Sequence, residues 1–539
     1  MIKKLKAFVL VLLIASPSFA MKFYADDPIT IDNDQKPVPQ PAVIEAGVLY
    51  DMVQNSFFHP GKQEKDQVKR AANINTLGEV PDSSWFTNRI GVRSMTKAEL
   101  MQGSNQGSGP DPNGEWTIIQ AKSQGVTPGF TIRDSKGDVF FLKFDPKKNP
   151  QLSTSAEVVG TRFFHAFGYN VPENYIALLH PDRLKIGAEA IITDENGQKL
   201  KMKHVDVDRI LRRVPQNTDG TVQVIASRRI PGTLLGPFKY YGTRNDDAND
   251  IFQHEDRREL RGMYVFASWL NHDEPTRINT LDAYQGEPGK GYVKHYLIDF
   301  GSTLGSGSIE PNQRISGNEY VFEKGPIFKS AVTLGLADRD WRSFHYPEYP
   351  AVGRFESQYF EPGKWKPQYP NAAFGKMTPE DAFWATKIVM RFTDEMVHSL
   401  VEAGKYEDPG AVDYISRTLM ERRDKIIQHY LSLLPPLDEF QLSADSLQFK
   451  DLGVERKVGT TQGYSYQWFR FDNNSEKLEP IGQRATASGT TITLPSETAD
   501  YLMAQIQAVN PSIPQWNKPV DVYVNMSSHK IVGIERHLN

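Results

Sequence analysis

The sequence predicts an α+β protein built of two lobes, a small β-rich one over residues 116–236 and a larger helical one over residues 237–436. An N-terminal extension over residues 21–115 precedes them, and a small β-rich domain over residues 437–539 follows. Three observations predict this. Short runs of β-type residues separated by Gly, Asp and Asn turns crowd the small lobe. Apolar residues at helical spacing take over after Pro237 and last to Leu434. Short alternating pieces then return beyond Pro435-Pro436.

The first element is not part of the fold. Residues 1–20, MIKKLKAFVLVLLIASPSFA, join a basic start, a short apolar core and small residues at Ser18 and Ala20, the three parts of a secretory signal cleaved after Ala20. The apolar core is too short for a lasting span, and no second long apolar run follows, so no transmembrane span is expected after signal removal. A periplasmic or secreted protein is expected. The chain has no cysteine, which excludes disulfides, thiolate metal sites, cysteine nucleophiles and a cysteine-borne lipid anchor. A net charge of −4 gives no reason to expect nucleic acid as a partner.

Residues 21–109 are rich in Pro, Asn, Asp and Gln, with a helical-looking stretch near 45–55. Pro81-Asp82-Ser83-Ser84-Trp85-Phe86 sets two large aromatics in a polar loop, which reads as a clip onto a neighbouring domain. Residues 103–114, GSNQGSGPDPNG, read as a flexible linker. Runs 116–121, 129–133 and 139–144 then predict an antiparallel meander. Ala156, Val159, Phe163 and Ala166 predict a helix over 155–167 stopped by Gly168. Strands are expected over 173–179, 189–193 and 222–227. In the helical lobe, Leu260, Met263, Tyr264, Ala267 and Leu270 predict a helix over 255–270, and a strand pair is expected around 292–299. Thr378-Pro379-Glu380-Asp381 reads as a capped helix start, and another helix follows Asp408-Pro409. In the last domain, 464–471, 490–494 and 520–524 read as strands and 498–509 as a helix. No internal repeat stands out.

The polar residues at the joints carry the chemistry. Lys143 lies in the third meander strand and Glu157 in the helix after it. A lysine on a buried side is costly unless paired, so the two are expected to form an ion pair. Asn271-His272-Asp273-Glu274-Pro275-Thr276-Arg277-Ile278-Asn279 follows the amphipathic helix directly, and Leu297-Ile298-Asp299-Phe300-Gly301-Ser302 leaves the next strand. Loops at the ends of regular elements are where an aspartate and an asparagine can converge on a cation. No second histidine sits at ligand spacing, so His272 reads as a hydrogen-bonded loop residue.

In the order of these residues, from about Trp116 to Leu434, the chain resembles the protein-kinase-like superfamily, in particular its atypical branches: phosphatidylinositol kinases, HipA-type bacterial kinases and secretory-pathway kinases. The resemblance implies a two-lobed kinase-like core that uses ATP and Mg2+. It implies that Lys143 holds the nucleotide phosphates and Glu157 orients Lys143. Asp273 would accept the proton of the attacking hydroxyl, and Asn279 and Asp299 would bind magnesium. Gly125 and Gly129 would let the turn between the first strands approach the phosphates. The chain departs from the family in two places: Asn279 comes six positions after Asp273 where five is usual, and the turn 125–129 lacks the full glycine pattern.

The function expected is phosphoryl transfer from ATP to a hydroxyl of a protein, glycan or small molecule. The alternative is a catalytically inactive kinase-like module that recognises an envelope component or a partner protein. A hydrolase using Asp273 and Glu274 is a third class, disfavoured because adjacent carboxylates seldom converge on one bond. The aromatic and proline-rich stretch 340–365 reads either as an acceptor-stacking surface or as a braced loop packed on the helical lobe.

Overall fold

The computed structural model describes residues 21–45, 54–61, 69–122, 129–193, 198–307, 310–321, 340–346 and 348–538. The signal segment, Gly125 and most of the helical-looking stretch near 45–55 lie outside the described residues. The fold is mixed α+β. Among the described residues no helix is long and apolar enough to cross a membrane.

The meander forms as its alternation and turns require. β1 (Trp116–Lys122), β2 (Gly129–Arg133) and β3 (Val139–Phe144) pair antiparallel. β4 (Asn174–Leu179), β5 (Leu184–Thr193), β6 (Lys199–Lys201) and β7 (Val222–Arg228) complete a seven-stranded sheet in the order β4-β7-β3-β2-β1-β5-β6. Successive side chains of β3 point to opposite faces. Phe140, Leu142 and Phe144 enter a core with Ile118, Ile132 and Val207 and Ile210 of a short helix, while Lys143 faces the other way.

On that other face lies α2 (Leu152–Phe167), numbered after α1 (Lys97–Gln102) of the extension. Asp145, one residue beyond β3, accepts hydrogen bonds from the backbone N–H groups of Ser153 and Thr154 (both 2.9 Å) and from the Thr154 hydroxyl (2.7 Å). It satisfies orphan donors of the first turn and ties the start of α2 to the end of β3. Gly168 ends the helix at φ 133°, where an added Cβ would lie 2.2 Å from the Phe86 ring.

The helical lobe is built on the helix α4 (Arg258–Leu270), with α5 (Pro379–Met390), α6 (Asp394–Glu402) and α7 (Pro409–Leu431), after α3 (His204–Leu211) of the small lobe. Phe163 and Phe167 of α2 join Phe266, Trp269 and Phe392 in one core, so the helix behind Lys143 belongs to both lobes. β8 (Thr233–Gly236), β9 (Thr280–Gln285) and β10 (Tyr292–Leu297) form a separate small sheet.

The C-terminal region holds a three-stranded sheet and a five-stranded antiparallel one. One expectation fails here. Residues 498–509 contain no helix but the strand Tyr501–Ala508, paired on both sides. Leu502 and Ile506 fit either period, and Ala504 and Ala508 complete a face of period two that is buried. Residues 103–114 also differ from a flexible linker. Asn105 is buried and exchanges 2.9 Å hydrogen bonds with the Asn174 backbone, while Ser104 donates to Pro172 O at 2.6 Å. These side-chain bonds hold the segment against the small lobe.

The extension straps the parts together. Trp85 stacks on His295 of β10 at 3.6 Å, and Phe86 meets Tyr169 and Trp384, each at 5.5 Å. Further upstream Phe23 packs among Phe471, Tyr501 and Tyr523 of the C-terminal domain.

Candidate functional site

Charged residues gather where the seven-stranded sheet and α2 meet the loop after β10. The β2–β3–β7 ladder sets Gly129, Lys143 and Ile225 in one row. Gly129 is required there by close approach, since a Cβ would come within 2.5 Å of Leu142 O. With α2 pinned by Asp145, Glu157 lies one turn into the helix, opposite this row. The Lys143 ammonium is 3.4 Å from Glu157 Oε2 and 2.7 Å from Asp299 Oδ1.

Glu157 is 1% exposed, and each of its oxygens is used. Oε1 accepts from the Phe300 backbone N–H and the Asn174 amide, both at 3.1 Å. Burial raises its pKa, with Lys143 opposing. Burial likewise works against the Lys143 charge, but Asp299 and Glu157 outweigh it and the ammonium is held above its ordinary pKa. Asp299 stays ionised by the same pairing: burial pushes its pKa up, and Lys143 with its hydrogen bond brings it below the usual carboxylate value.

Asp299 leaves β10 with φ 61°, a left-handed conformation that aspartate tolerates better than most residues. That turn swings its carboxylate toward β3. Phe300 is buried against Phe164 of α2 at 4.8 Å, and Gly160 admits it, since a Cβ on Gly160 would lie 2.8 Å from Phe300 Cβ. Asn279 is placed by the neighbouring strand: Ile298 N donates to Asn279 O at 2.9 Å. Its side-chain Nδ2 donates to Glu274 O at 2.9 Å, which leaves the amide oxygen as an available ligand.

The Asp273 carboxylate is held by residues 312 and 316. Asp273 is fully buried, and its Oδ2 accepts from Asn312 Nδ2 at 2.8 Å and from the Ser316 hydroxyl. Its Oδ1 has no hydrogen-bond partner among the described residues. Burial, then the charge of Glu274, pushes its pKa up to about 8, although Ser316 and Asn312 pull the other way. The carboxylate beside Asp299 is that of Glu274, a partly exposed residue hydrogen-bonded to Ser302 and, at 2.8 Å, to Gln368. Burial and then Asp299 raise its pKa, and Lys143 lowers it. Glu274 was legible in one respect. It lies five positions before Asn279, and Asn279 is bonded to its backbone.

His272 is buried between Phe164 and Phe300, its pKa lowered to about 4 by burial with Asp299 opposing, so it sits neutral as a packed loop residue. The stretch 340–365 is mostly braced onto the helical lobe. Arg422 lies 3.6 Å over the Phe360 ring and 4.8 Å over Phe355, and Trp365 is buried.

Lys143, Glu157, Glu274, Asn279 and Asp299 thus gather at one place. A cation, two facing carboxylates and an amide oxygen can bind a phosphate chain together with a divalent ion. Among the described residues no three His, Asp or Glu form a self-sufficient metal cage. A magnesium ion carried on phosphates needs only one or two protein oxygens, which Asp299 and Asn279 can supply.

No family model and no curated protein matches the chain. Among solved structures it is similar to the Helicobacter pylori proinflammatory kinase CtkA, at 12% identity and a TM-score of 0.30, over 56% of this chain and 90% of that one. It is also similar to the golgi casein kinase, at 10% identity and a TM-score of 0.29, over 72% of this chain and 94% of that one. Likenesses this distant transfer no residue roles, which rest on the geometry above.

Proposed function

We propose that the protein is an exported kinase-like phosphotransferase that moves a phosphoryl group from ATP to a hydroxyl of a protein, glycan or small molecule. The observation that carries this reading is the buried Glu157 paired with Lys143, whose ammonium lies 2.7 Å from Asp299. Such an arrangement holds a positive charge where phosphates would lie, next to oxygen ligands suited to magnesium. Asp299 and Asn279 would hold Mg2+, which would supply charge neutralisation for the phosphates. Lys143 exchanges Asp299 for phosphate oxygens, and Glu157 keeps its ammonium in place. We assign the hydroxyl proton to Glu274 rather than Asp273, because the charges of Asp299 and Lys143 act on Glu274 while Asp273 is held by Asn312 and Ser316. Asp273 then anchors the segment carrying Asn312 and Ser316. The twenty-residue secretory signal supports a site of action in the periplasm or beyond.

The second reading is a catalytically inactive binding module, favoured by the burial of Asp273 under Asn312 and Ser316. Calorimetry with MgATP and phosphate transfer from labelled ATP separate the two. Nucleotide binding that needs magnesium and is lost in Asp299→Ala is expected. Glu274→Gln should leave nucleotide affinity within about threefold and lower transfer by about 10²-fold or more. Asp273→Asn should lower transfer less. No binding of any nucleotide would favour the binding module, and a larger loss in Asp273→Asn than in Glu274→Gln would return the base to Asp273.

A further inference from the structure

A cavity of about 260 Å³ opens where the extension, α2, the end of β7 and β10 meet, and Lys143, Glu157 and Asp299 do not line it. Its wall includes Arg89 from the extension, His165 from α2, Glu173, Arg228 and Arg229 from around β4 and β7, and Lys294 from β10. The charges do not balance. Arg228 is paired with Asp138 at 2.7 Å and Glu173 at 3.5 Å. Glu173 also accepts from the Tyr175 hydroxyl and, at 3.1 Å, from the Gln106 backbone.

Arg229 and Lys294 have no carboxylate in ion-pair contact among the described residues, and Arg89 has only the more distant charge of Asp82. Arg89 Nη1 is bonded to the carbonyls of His165 (2.8 Å) and Tyr169 (3.2 Å). Arg229 reaches only Gly232 O, at 3.4 Å. Lys294 has the Tyr296 ring at 5.8 Å. Lys294 is lowered in pKa by burial and then by Arg89, a sign that like charges share a poorly solvated space. The His165 Nδ1, also in this wall, has no hydrogen-bond partner. In a chain with net charge −4, such a local excess of positive charge has to be maintained against repulsion.

We propose that this cavity binds a small multivalent oxyanion of the phosphate or diphosphate class. Arginine forks and an ammonium around a space of this size match the geometry and charge of such an anion. Because the cations come from the end of β7 and from β10, a bound anion would draw the small lobe and the small sheet together. The proposal does not depend on phosphotransfer at Lys143 and Asp299.

The test is calorimetric titration of the mature chain with inorganic pyrophosphate and with inorganic phosphate, without magnesium, at low and moderate salt. Binding of pyrophosphate that weakens with salt is expected. It should fall at least tenfold in Lys294→Met and in Arg229→Gln, and persist in Lys143→Ala. Arg229 is exposed, so its variant leaves the fold intact if the Lys294 variant does not. Absence of binding, or binding lost in Lys143→Ala and kept in both cavity variants, would overturn the proposal.

Discussion

The side chains that matter most are those whose charge the fold has to manage, and they fall into two kinds. Lys143 and Asp299 hold each other ionised, while burial pushes the Glu157 pKa up against the pull of Lys143. His165 is the opposite case. Burial, with Arg89 and Arg162 nearby, lowers its pKa from 6.5 to about 3, so the folded protein keeps it neutral while an unfolded chain would take up a proton. Its contribution is therefore complete above about pH 6.5 and is lost as pH falls toward 3, by up to about 1.4 kcal/mol per pH unit. Denaturant titrations at pH 4.5, 5.5 and 6.5 should show a shallower loss of stability in His165→Gln than in the parent, and parallel slopes would count against this origin. Of the site itself, Lys143, Glu157 and Asp299 were legible because each sits at the end or in the middle of an element whose period is clear. The partners of Asp273 were not. Neighbouring carboxylates in a loop are separated only by which one finds Asn312 and Ser316, and those partners come from a segment about forty residues away with no period of its own.

At the scale of elements, α5 shows how a sequence signal can carry more than it announces. Thr378-Pro379-Glu380-Asp381 reads as a capping box, and the box forms: the Asp381 N–H donates to the Thr378 hydroxyl at 3.2 Å and Asp381 Oδ2 accepts from Thr378 N at 2.9 Å. Asp381 also accepts from Arg258 Nε at 2.9 Å and Arg261 Nη1 at 3.4 Å, both on α4. It is thus a cap for one helix and a counter-ion for another. Thr378→Ala should cost about 1 kcal/mol in chemical denaturation. Asp381→Ala should cost about 3 kcal/mol or more, since it leaves buried guanidinium groups short of a carboxylate. Equal costs would mean that the cap is its only role. The meander, α2 and α7 were readable from period and turn residues alone. The strand over Tyr501–Ala508 was not, because its apolar spacing suits both periods and only pairing with two neighbouring strands decides between them. Residues 103–114 misled for a related reason: Gly, Ser and Asn are the composition of a free linker and also of a segment that hydrogen-bonds closely to a sheet edge.

For the molecule as a whole, the extension matters as much as either lobe. Phe23 is 3% exposed in an aromatic cluster of the last sheet, Lys22 reaches Glu535 at 3.0 Å, and the Phe23 backbone exchanges 2.8 Å hydrogen bonds with the Asn473 side chain. Phe23→Ala should cost about 3–5 kcal/mol and act locally, so that hydrogen exchange speeds up in Tyr501–Ala508 and Val520–Asn525 before it does in α4. Uniform loosening of all parts would contradict that placement. The strap also orders events in time. Residues 22 and 23 are synthesised well before their partners, which lie between 471 and 535. Folding of the chain after residue 23 can build the helical and sheet cores, but Lys22 and Phe23 must wait unplaced until the sheet that holds Phe471, Tyr501 and Tyr523 has been made.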